Sequence, residues 1–267
     1  MIDWLEDVAE DDEEHFTAHA FLNYQLQARG LTLADLDVGP RLVVTFQPFI
    51  YAHLLRLTGA SESEAWKKLR SDRPPLARGR FRDTDVAVIR FPVGAPAAIA
   101  SLEEMVIGGA RSIVAVGSAG SLQEYAPLGA AVLPTSAIRE EGTSYHYQRP
   151  DIEARPDAAL VDALRDACVQ RGVIAHEGRI WTTDAPYREM TSKVRRLAAQ
   201  GVVAVDMEAS ALYIVGAMRG LRVASLFIVS DELFHPWRPG FYDRSFRDSA
   251  MRIAECALDA VVQSPAD

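Results

Sequence analysis

Apolar runs of strand length alternate along the chain with stretches in which apolar residues recur every three or four positions. The runs are typical of buried β-strands, and the spaced stretches are typical of amphipathic helices. Strands are predicted at 41–46, 85–91, 112–117, 129–135, 178–183, 202–205 and 222–231. Helices are predicted at 97–110, 157–172, 186–201, directly after 206, and at 246–262. Such strands are covered on both faces, so we expect an α/β fold, a single domain with a mostly parallel, mixed central sheet flanked by helices.

Composition and charge narrow the class of protein. The chain has 267 residues and a net charge of −9, which argues against nucleic acid or an anionic membrane as the main partner. It has no apolar run of about 18 residues and no signal-peptide pattern, so we expect a soluble, cytoplasmic protein. Cys168 and Cys256 lie far apart, and the histidines lack metal-ligand spacing, so we expect neither a disulfide framework nor a metal.

In a parallel sheet, ligands bind beyond the carboxyl ends of the strands, so the residues that follow each strand are candidates for a site. The segment GSAGSL follows the strand at 112–117. Its two glycines allow a sharp turn that exposes backbone amides to an anion or a sugar hydroxyl. A tight turn without any ligand would leave the same pattern.

Acidic residues follow two other strands. Asp206 and Glu208 stand where a strand leads into a helix, and they are compatible with an N-cap and a first-turn acid. Glu208, however, shares a helix face with apolar residues, and a buried carboxylate needs partners such as ligand hydroxyls. Asp231 is either a turn acid or a general acid whose pKa is raised at the rim of an apolar pocket. Arg244 follows thirteen residues later and is a candidate to pair with it.

The segments GSAGSL, VAVDMEASALY and IVSDE, in this order, resemble the nucleoside phosphorylase and nucleosidase family. That family includes uridine phosphorylase, bacterial purine nucleoside phosphorylase and methylthioadenosine nucleosidase. The resemblance extends from about Val86 to Arg244 and is supported by VGAPAAIASLEEM, PTSAIREEGTSYHY and TTDAPYRE. It implies that 41–267 is a nucleoside phosphorylase-like catalytic domain, preceded by an acidic N-terminal arm at 1–40.

The resemblance also implies roles for individual residues. Glu208 would accept hydrogen bonds from the 2′- and 3′-hydroxyls of ribose, beside Asp206, while Met207 packs on the sugar. Asp231 would donate a proton to N7 of a purine, with Arg244 as its partner. Further substrate contacts are expected from Ser118, Ala119, Gly120, Pro186, Tyr187, Arg139 and His146. No cofactor is implied, phosphate is the expected co-substrate, and the family forms homo-oligomers, either dimers, trimers or hexamers.

The acceptor side departs from the pattern of the family. Its phosphorylases usually carry a Gly-Asp-Pro-type loop with an arginine after the first strand, where this chain has TFQPFIYAHLL. They also carry an arginine three residues before the Ser of the second loop, where this chain has Ala115. Arg139, Arg78, Arg80 or Arg56 are candidates to supply the missing charge. Three functions therefore stay open: phosphorolysis of a purine nucleoside, hydrolysis by a nucleosidase, and nucleoside binding without turnover.

Overall fold

The computed structural model describes residues 13–69 and 75–265, so most of the acidic stretch 3–16 lies outside the described residues. The described residues form ten strands and eight α-helices. The strands are β1 (Arg41–Thr45), β2 (Ser61–Glu62), β3 (Leu76–Phe81), β4 (Thr84–Arg90), β5 (Ser112–Ser121), β6 (Ala131–Glu140), β7 (Ala175–Thr183), β8 (Ala204–Asp206), β9 (Arg222–Glu232) and β10 (Arg238–Pro239). The helices are α1 (Ala18–Gln27), α2 (Pro48–Thr58), α3 (Glu64–Leu69), α4 (Ala95–Ile107), α5 (Ala158–Gln170), α6 (Thr191–Ala199), α7 (Ala209–Met218) and α8 (Arg244–Gln263).

All ten strands belong to one mixed sheet in the order β10-β9-β6-β7-β8-β5-β1-β4-β3-β2. An additional pairing joins β9 to β5, so β5, β8, β7, β6 and β9 close into a ring. The longest pairings, β5 with β9 and β6 with β7, are parallel. The predicted α/β fold with a mostly parallel, mixed sheet is therefore confirmed.

Helices cover the sheet on both sides, as the continuous apolar strands require. One apolar cluster joins the sheet to α1, α4 and α7, and the other joins it to α2, α5 and α8. Leu22 and Leu26 of α1 are fully buried in the first cluster. This part of the N-terminal segment thus packs on the same core as the sheet.

Each of the seven predicted strands is present, but some elements differ from the predictions. The helix expected at 186–201 is split into a short 3-10 turn, Pro186–Arg188, and helix α6. Strand β3 was not predicted because its sequence LARGRF carries two arginines and a glycine among its apolar residues. Helix α2 begins with Pro48 in its first turn, directly after β1, and was not predicted either.

The prediction of a sharp turn at GSAGSL is wrong, because the segment continues strand β5 as far as Ser121. It pairs with β9 through a bulge between Ala119 and Gly120. The glycines serve close packing instead. A Cβ on Gly117 would lie 3.0 Å from the Phe227 ring, and one on Gly120 would lie 2.9 Å from a methyl group of Leu233. The small residues therefore let the ring of strands close without a steric clash.

Candidate active site

A cavity of about 720 Å³ opens where the chain leaves several strands of the sheet. Strands β1, β4, β5 and β9 run parallel, so their carboxyl ends meet at one edge. Nine of the twelve predicted site residues line this cavity: Ser118, Ala119, Gly120, Pro186, Tyr187, Asp206, Met207, Glu208 and Asp231. The parallel strands β5 and β9, together with the short β8 that pairs antiparallel with the end of β5, thus bring together residues that are more than 100 positions apart in the sequence.

Glu208 is a buried carboxyl on the wall of the cavity, with 5% of its surface exposed. Its Oε1 accepts a hydrogen bond of 2.6 Å from the amide of Gly94, the N-cap of α4. Gly94 has φ of 98°, a conformation that favours glycine and aims this amide at the carboxyl. Burial raises the pKa of Glu208 above its usual range, and the charge of Asp206 raises it further. Additional hydrogen-bond donors from a ligand would stabilise the ionised form.

Asp206 holds the entrance of α7 rather than standing free in the cavity. One of its oxygens accepts a hydrogen bond of 2.6 Å from Thr182 Oγ1. The other accepts from the amides of Glu208, at 3.0 Å, and Ala209, at 2.6 Å. The interpretation of Asp206 as the N-cap is wrong, because the N-cap residue of α7 is Glu208, two positions later. The side chain of Asp206 nevertheless accepts hydrogen bonds from the first amides of the helix, as an N-cap side chain would. Asp206 therefore fixes the backbone at the start of α7, next to Glu208.

Asp231 lies near the end of β9, where its carboxyl lines the cavity. Its Oδ1 accepts a hydrogen bond of 2.8 Å from Ser230 Oγ, and its Oδ2 accepts one of 2.9 Å from Trp237 Nε1. A Cβ on Gly120 would come within 3.4 Å of Oδ2, so the glycine keeps space beside this carboxyl. Trp237, which is 61% exposed, forms part of the same wall.

A third part of the wall comes from the ends of β1 and β5. Gln47 follows β1, and its Nε2 donates a hydrogen bond of 2.9 Å to Ser118 Oγ. Among the described residues that line the cavity, four are acids, and none is an arginine or a lysine. A dianion such as phosphate is normally bound by cationic side chains and backbone amides. Within one chain, the described wall therefore offers a neutral amide and a hydroxyl where a cation was expected.

Three predicted site residues lie outside the cavity lining. Arg244 does not pair with Asp231, because it starts α8, is 95% exposed and contacts Asp248 at 3.8 Å. Arg139 is buried, and its guanidinium donates to Ser144 Oγ and to the carbonyls of three residues of the following loop, Gln148, Arg149 and Ile152. These bonds use the donors that a phosphate would need. His146 is exposed on a 3-10 turn.

The other arginines proposed to replace the missing charge are also engaged elsewhere. Arg56 donates to His53 Nδ1 at 2.8 Å. Arg78 forms an ion pair with Asp37, and Arg80 forms one with Asp85. None of the three lines the cavity within the described chain.

Among the residues that the structure adds to the site, four bear on its chemistry and were not predicted individually. Gly94 lies in VGAPAAIASLEEM and Glu189 in TTDAPYRE, two segments that carry the family resemblance. Gln47 and Trp237 line the cavity from loops after β1 and β9. Gln47 lies in TFQPFIYAHLL, the stretch that stands in place of the acceptor loop of the family, whereas no sequence signal marked Trp237.

No helix among the described residues is long and apolar enough to cross a membrane. No group of three or more His, Cys, Asp or Glu side chains within 13–69 and 75–265 is arranged to hold a metal ion.

Sequence comparisons match residues 56–264 to the model of the phosphorylase superfamily. Over 162 residues the chain is 31% identical to uridine phosphorylase of Treponema pallidum, covering 57% of this chain and 63% of that protein. It is 28% identical over 158 residues to guanosine phosphorylase of Halorubrum lacusprofundi, covering 59% of this chain and 66% of the other. It is 29% identical over 189 residues to the DeoD-type purine nucleoside phosphorylase of Bacillus cereus, covering 69% and 79%. The match thus spans slightly less than two thirds of the first two relatives.

Solved structures with the same fold cover more of the chain. Uridine phosphorylase from Vibrio fischeri superposes with a TM-score of 0.77 at 24% identity, covering 86% of this chain and 95% of that one. Purine nucleoside phosphorylase from Toxoplasma gondii, solved with immucillin-H, superposes with a TM-score of 0.76 at 20% identity, covering 86% and 92%. At these identities the superpositions establish the shared fold.

Proposed function

Because the chain belongs to the phosphorylase superfamily, we propose that it cleaves the N-glycosidic bond of a purine nucleoside and transfers the ribosyl group to phosphate. The products would be the free base and ribose 1-phosphate. One observation carries the proposal: the buried carboxyl of Glu208 and the carboxyl of Asp231 face one cavity at the carboxyl edge of the sheet. Relatives named uridine, guanosine and purine nucleoside phosphorylases support the reaction class.

At the sugar, Glu208 is the residue that we assign to the 2′- and 3′-hydroxyls, with Met207 against the ring. An ionised carboxylate has several lone-pair sites, so it accepts from both hydroxyls while Oε1 keeps its bond to the Gly94 amide. Breaking the glycosidic bond develops positive charge at the anomeric carbon. A carboxylate fixed nearby stabilises that charge without having to reorganise.

At the base, Asp231 is the residue that we assign to N7 of the purine, where it donates a proton to the leaving group. The proton converts an anionic leaving group into a neutral base. Pro186 and Tyr187 lie on the same wall and are assigned to stack on the base. Asp231→Asn keeps the shape of the side chain but cannot donate an acidic proton, so we expect purine release to slow on the order of 100-fold.

Hydrolysis is a second candidate, and the composition of the cavity wall favours it. The described lining has four acids and no arginine or lysine, and Gln47 and Ser118 bond to each other at the end of β1 and β5. An uncharged acceptor such as water suits this wall better than a phosphate dianion. Phosphorolysis would require cations from outside the described wall, such as those of a second subunit. We propose that the protein forms a homo-oligomer, which would bring such a subunit, and that it is cytoplasmic.

Product analysis tests the proposal. The purified protein is incubated with adenosine, inosine, guanosine, methylthioadenosine and uridine, each with and without phosphate, and free base is separated by chromatography. Purine release that depends on phosphate, with accumulation of ribose 1-phosphate, is the expected result. Purine release without phosphate would replace phosphorolysis by hydrolysis. Release of uracil alone would overturn the purine assignment, and binding without any release would indicate a nucleoside-binding protein.

A further inference from the structure

The indole of Trp237 contacts the carboxyl that we assign to the base. Its Nε1 donates a hydrogen bond of 2.9 Å to Oδ2 of Asp231, and the indole lines the same cavity. An indole carries no charge, and its single N–H can only donate. Arg244, the partner that the sequence suggested for Asp231, is 95% exposed at the start of α8. In this structure an uncharged donor therefore contacts Asp231 where a cation was expected.

A short hairpin holds the indole beside the carboxyl. Strand β10 turns back and pairs antiparallel with the last two residues of β9, Asp231 and Glu232. The amide of Gly240 then donates a hydrogen bond of 2.8 Å to the carbonyl of Ser230. Trp237 directly precedes β10, so these backbone contacts fix its position next to Asp231. The bond between the two side chains thus joins residues that the hairpin already keeps together.

Two donors together set the orientation of the Asp231 carboxyl. Ser230 Oγ donates to Oδ1 at 2.8 Å, and Trp237 Nε1 donates to Oδ2. Each carboxyl oxygen has two lone-pair positions, so one position on each oxygen remains available for a proton. A general acid must point at the atom that receives its proton. The two hydrogen bonds supply this direction and leave room for the proton.

The charges around this wall favour a neutral partner. The described lining of the cavity contains no arginine or lysine, and Arg238 of the hairpin pairs with Glu232 at 3.2 Å. Glu189 shares the wall, and burial, followed by the charge of Asp231, raises its pKa to about 7. A fixed cation beside Asp231 would favour its ionised form, which has no proton to donate. A neutral indole orients the carboxyl without this effect.

We propose that Trp237 is a positioning residue, whose indole N–H holds the carboxyl of Asp231 in the direction in which Asp231 gives its proton to N7 of the leaving purine. The inference rests on the proposed function and deepens it by naming the residue that stands in for the expected arginine. As the bond between C1′ and N9 breaks, its electron pair passes to the base, and N7 takes the proton of Asp231. The acceptor, phosphate or water, forms the new bond to C1′ and releases the proton that restores Asp231. Trp237 keeps its own proton throughout.

The choice of substrate separates proton transfer from binding. Guanosine needs a proton at N7 when its base leaves. The methyl group of 7-methylguanosine fixes a positive charge on the base, which therefore leaves as a neutral molecule without that proton. Both are measured at one slightly acidic pH, at which 7-methylguanosine keeps its charge, with and without phosphate.

The variant Trp237→Phe keeps an aromatic ring and removes the N–H donor. The control Tyr242→Phe removes a donor from an aromatic residue that is 93% exposed and lies outside the lining of the cavity. Both substitutions are also combined with Asp231→Asn. For each protein kcat and KM are determined with both substrates, and thermal unfolding is recorded.

Trp237→Phe should lower kcat/KM for guanosine on the order of 10-fold, the scale of one hydrogen bond to an acidic group. The loss should appear in kcat rather than in KM, because the N–H bonds to Asp231 and not to the substrate. Cleavage of 7-methylguanosine should change by less than about threefold, the scale of a small surface effect. In Asp231→Asn, which has already lost the proton donor, Trp237→Phe should cost less than about twofold more. Tyr242→Phe should behave as the native protein with both substrates.

Three results would overturn the inference. Equal losses with both substrates would assign Trp237 to stacking on the base or to the fold, whichever of the two thermal unfolding indicates. An unchanged kcat/KM for guanosine would remove the N–H from proton transfer, and full additivity with Asp231→Asn would show that Trp237 acts apart from Asp231. In all three cases the native protein still cleaves guanosine, so the proposed function stands. A native protein that cleaves neither substrate would refute the proposed function and this role of Trp237 together.

Discussion

Replacement of Glu208 by glutamine, measured with a ribonucleoside and its 2′-deoxy analogue, tests the assignment at the sugar. Glutamine keeps the length of the side chain and an oxygen that can accept a hydrogen bond from the Gly94 amide. The hydrogen bond to the start of α4, which is 2.6 Å long with glutamate, can therefore still form. What it loses is the negative charge. A hydrogen bond to a charged group contributes about 1.5–3 kcal/mol, against about 0.5–1.5 kcal/mol for a neutral one.

The expected magnitude follows from the two hydroxyls. If each bond weakens by about 1.5 kcal/mol, the ribonucleoside loses about 3 kcal/mol of transition-state stabilisation, or on the order of 100-fold in kcat/KM. The 2′-deoxynucleoside has one of these hydroxyls and should lose on the order of 10-fold from this source. The effect of Glu208 on the charge at the anomeric carbon is common to both substrates and cancels in their ratio. The ratio of ribo to deoxy substrate should therefore fall about 10-fold.

Initial rates of base release with inosine and 2′-deoxyinosine give the two values of kcat/KM for the native protein and for Glu208→Gln. Circular dichroism and thermal unfolding of both proteins establish that the buried substitution leaves the fold intact. Glu153→Gln, on the surface, serves as the matched control and should leave the ratio unchanged. An unchanged ratio in Glu208→Gln, in a folded protein, would refute the assignment of Glu208 to the ribose hydroxyls.

Three further outcomes are expected. With inosine, whose base keeps its N1 proton through neutral pH, kcat/KM should rise with pH as Glu208 ionises, and a rise near pH 4, the ordinary range of a glutamate, would contradict its raised pKa. Asp206→Ala should lower the free energy of unfolding, measured in urea, by about 2–4 kcal/mol, because it leaves three buried donors unsatisfied. The control Asp162→Ala, at an exposed position, should change it by less than about 0.5 kcal/mol. Gly94→Ala should lower the free energy of unfolding by about 1–3 kcal/mol, because a residue with a side chain is strained at φ of 98°, and it should raise KM. A variant with wild-type stability and KM would refute this role of Gly94.

Much of the fold followed from local pattern. The seven predicted strands are buried apolar runs, and burial of an apolar run depends little on which strand lies beside it. Elements with mixed patterns were missed. Strand β3 mixes apolar residues with two arginines and a glycine next to the edge strand β2, and α2 begins at a proline that also suits a turn. The closed ring from β5 to β9 was not predictable, because it depends on pairings between strands distant in sequence.

The residues of the candidate site, like the elements of the fold, were predictable from the sequence only in part. Position after a strand was enough to single out Asp206, Glu208 and Asp231. The carboxyl end of β9 lies beside that of its parallel neighbour β5, whereas β8 reaches the same cavity because it pairs antiparallel with the last residues of β5. Spacing along the chain was not enough to pair Arg244 with Asp231, because helix α8 starts at the arginine and directs it to Asp248. Arg139 was assigned by its charge, but its donors bind loop carbonyls.

The sequence by itself determined the class of fold, the family and the acids that leave the strands, because these depend on local periodicity and on short ordered motifs. Only the tertiary structure decided which groups share a cavity and in what environment. The raised pKa of Glu189 needs both burial and the charge of Asp231, which lies forty-two positions further along the chain. Burial and through-space charge are properties of neighbours in three dimensions, and no pattern along one segment contains them.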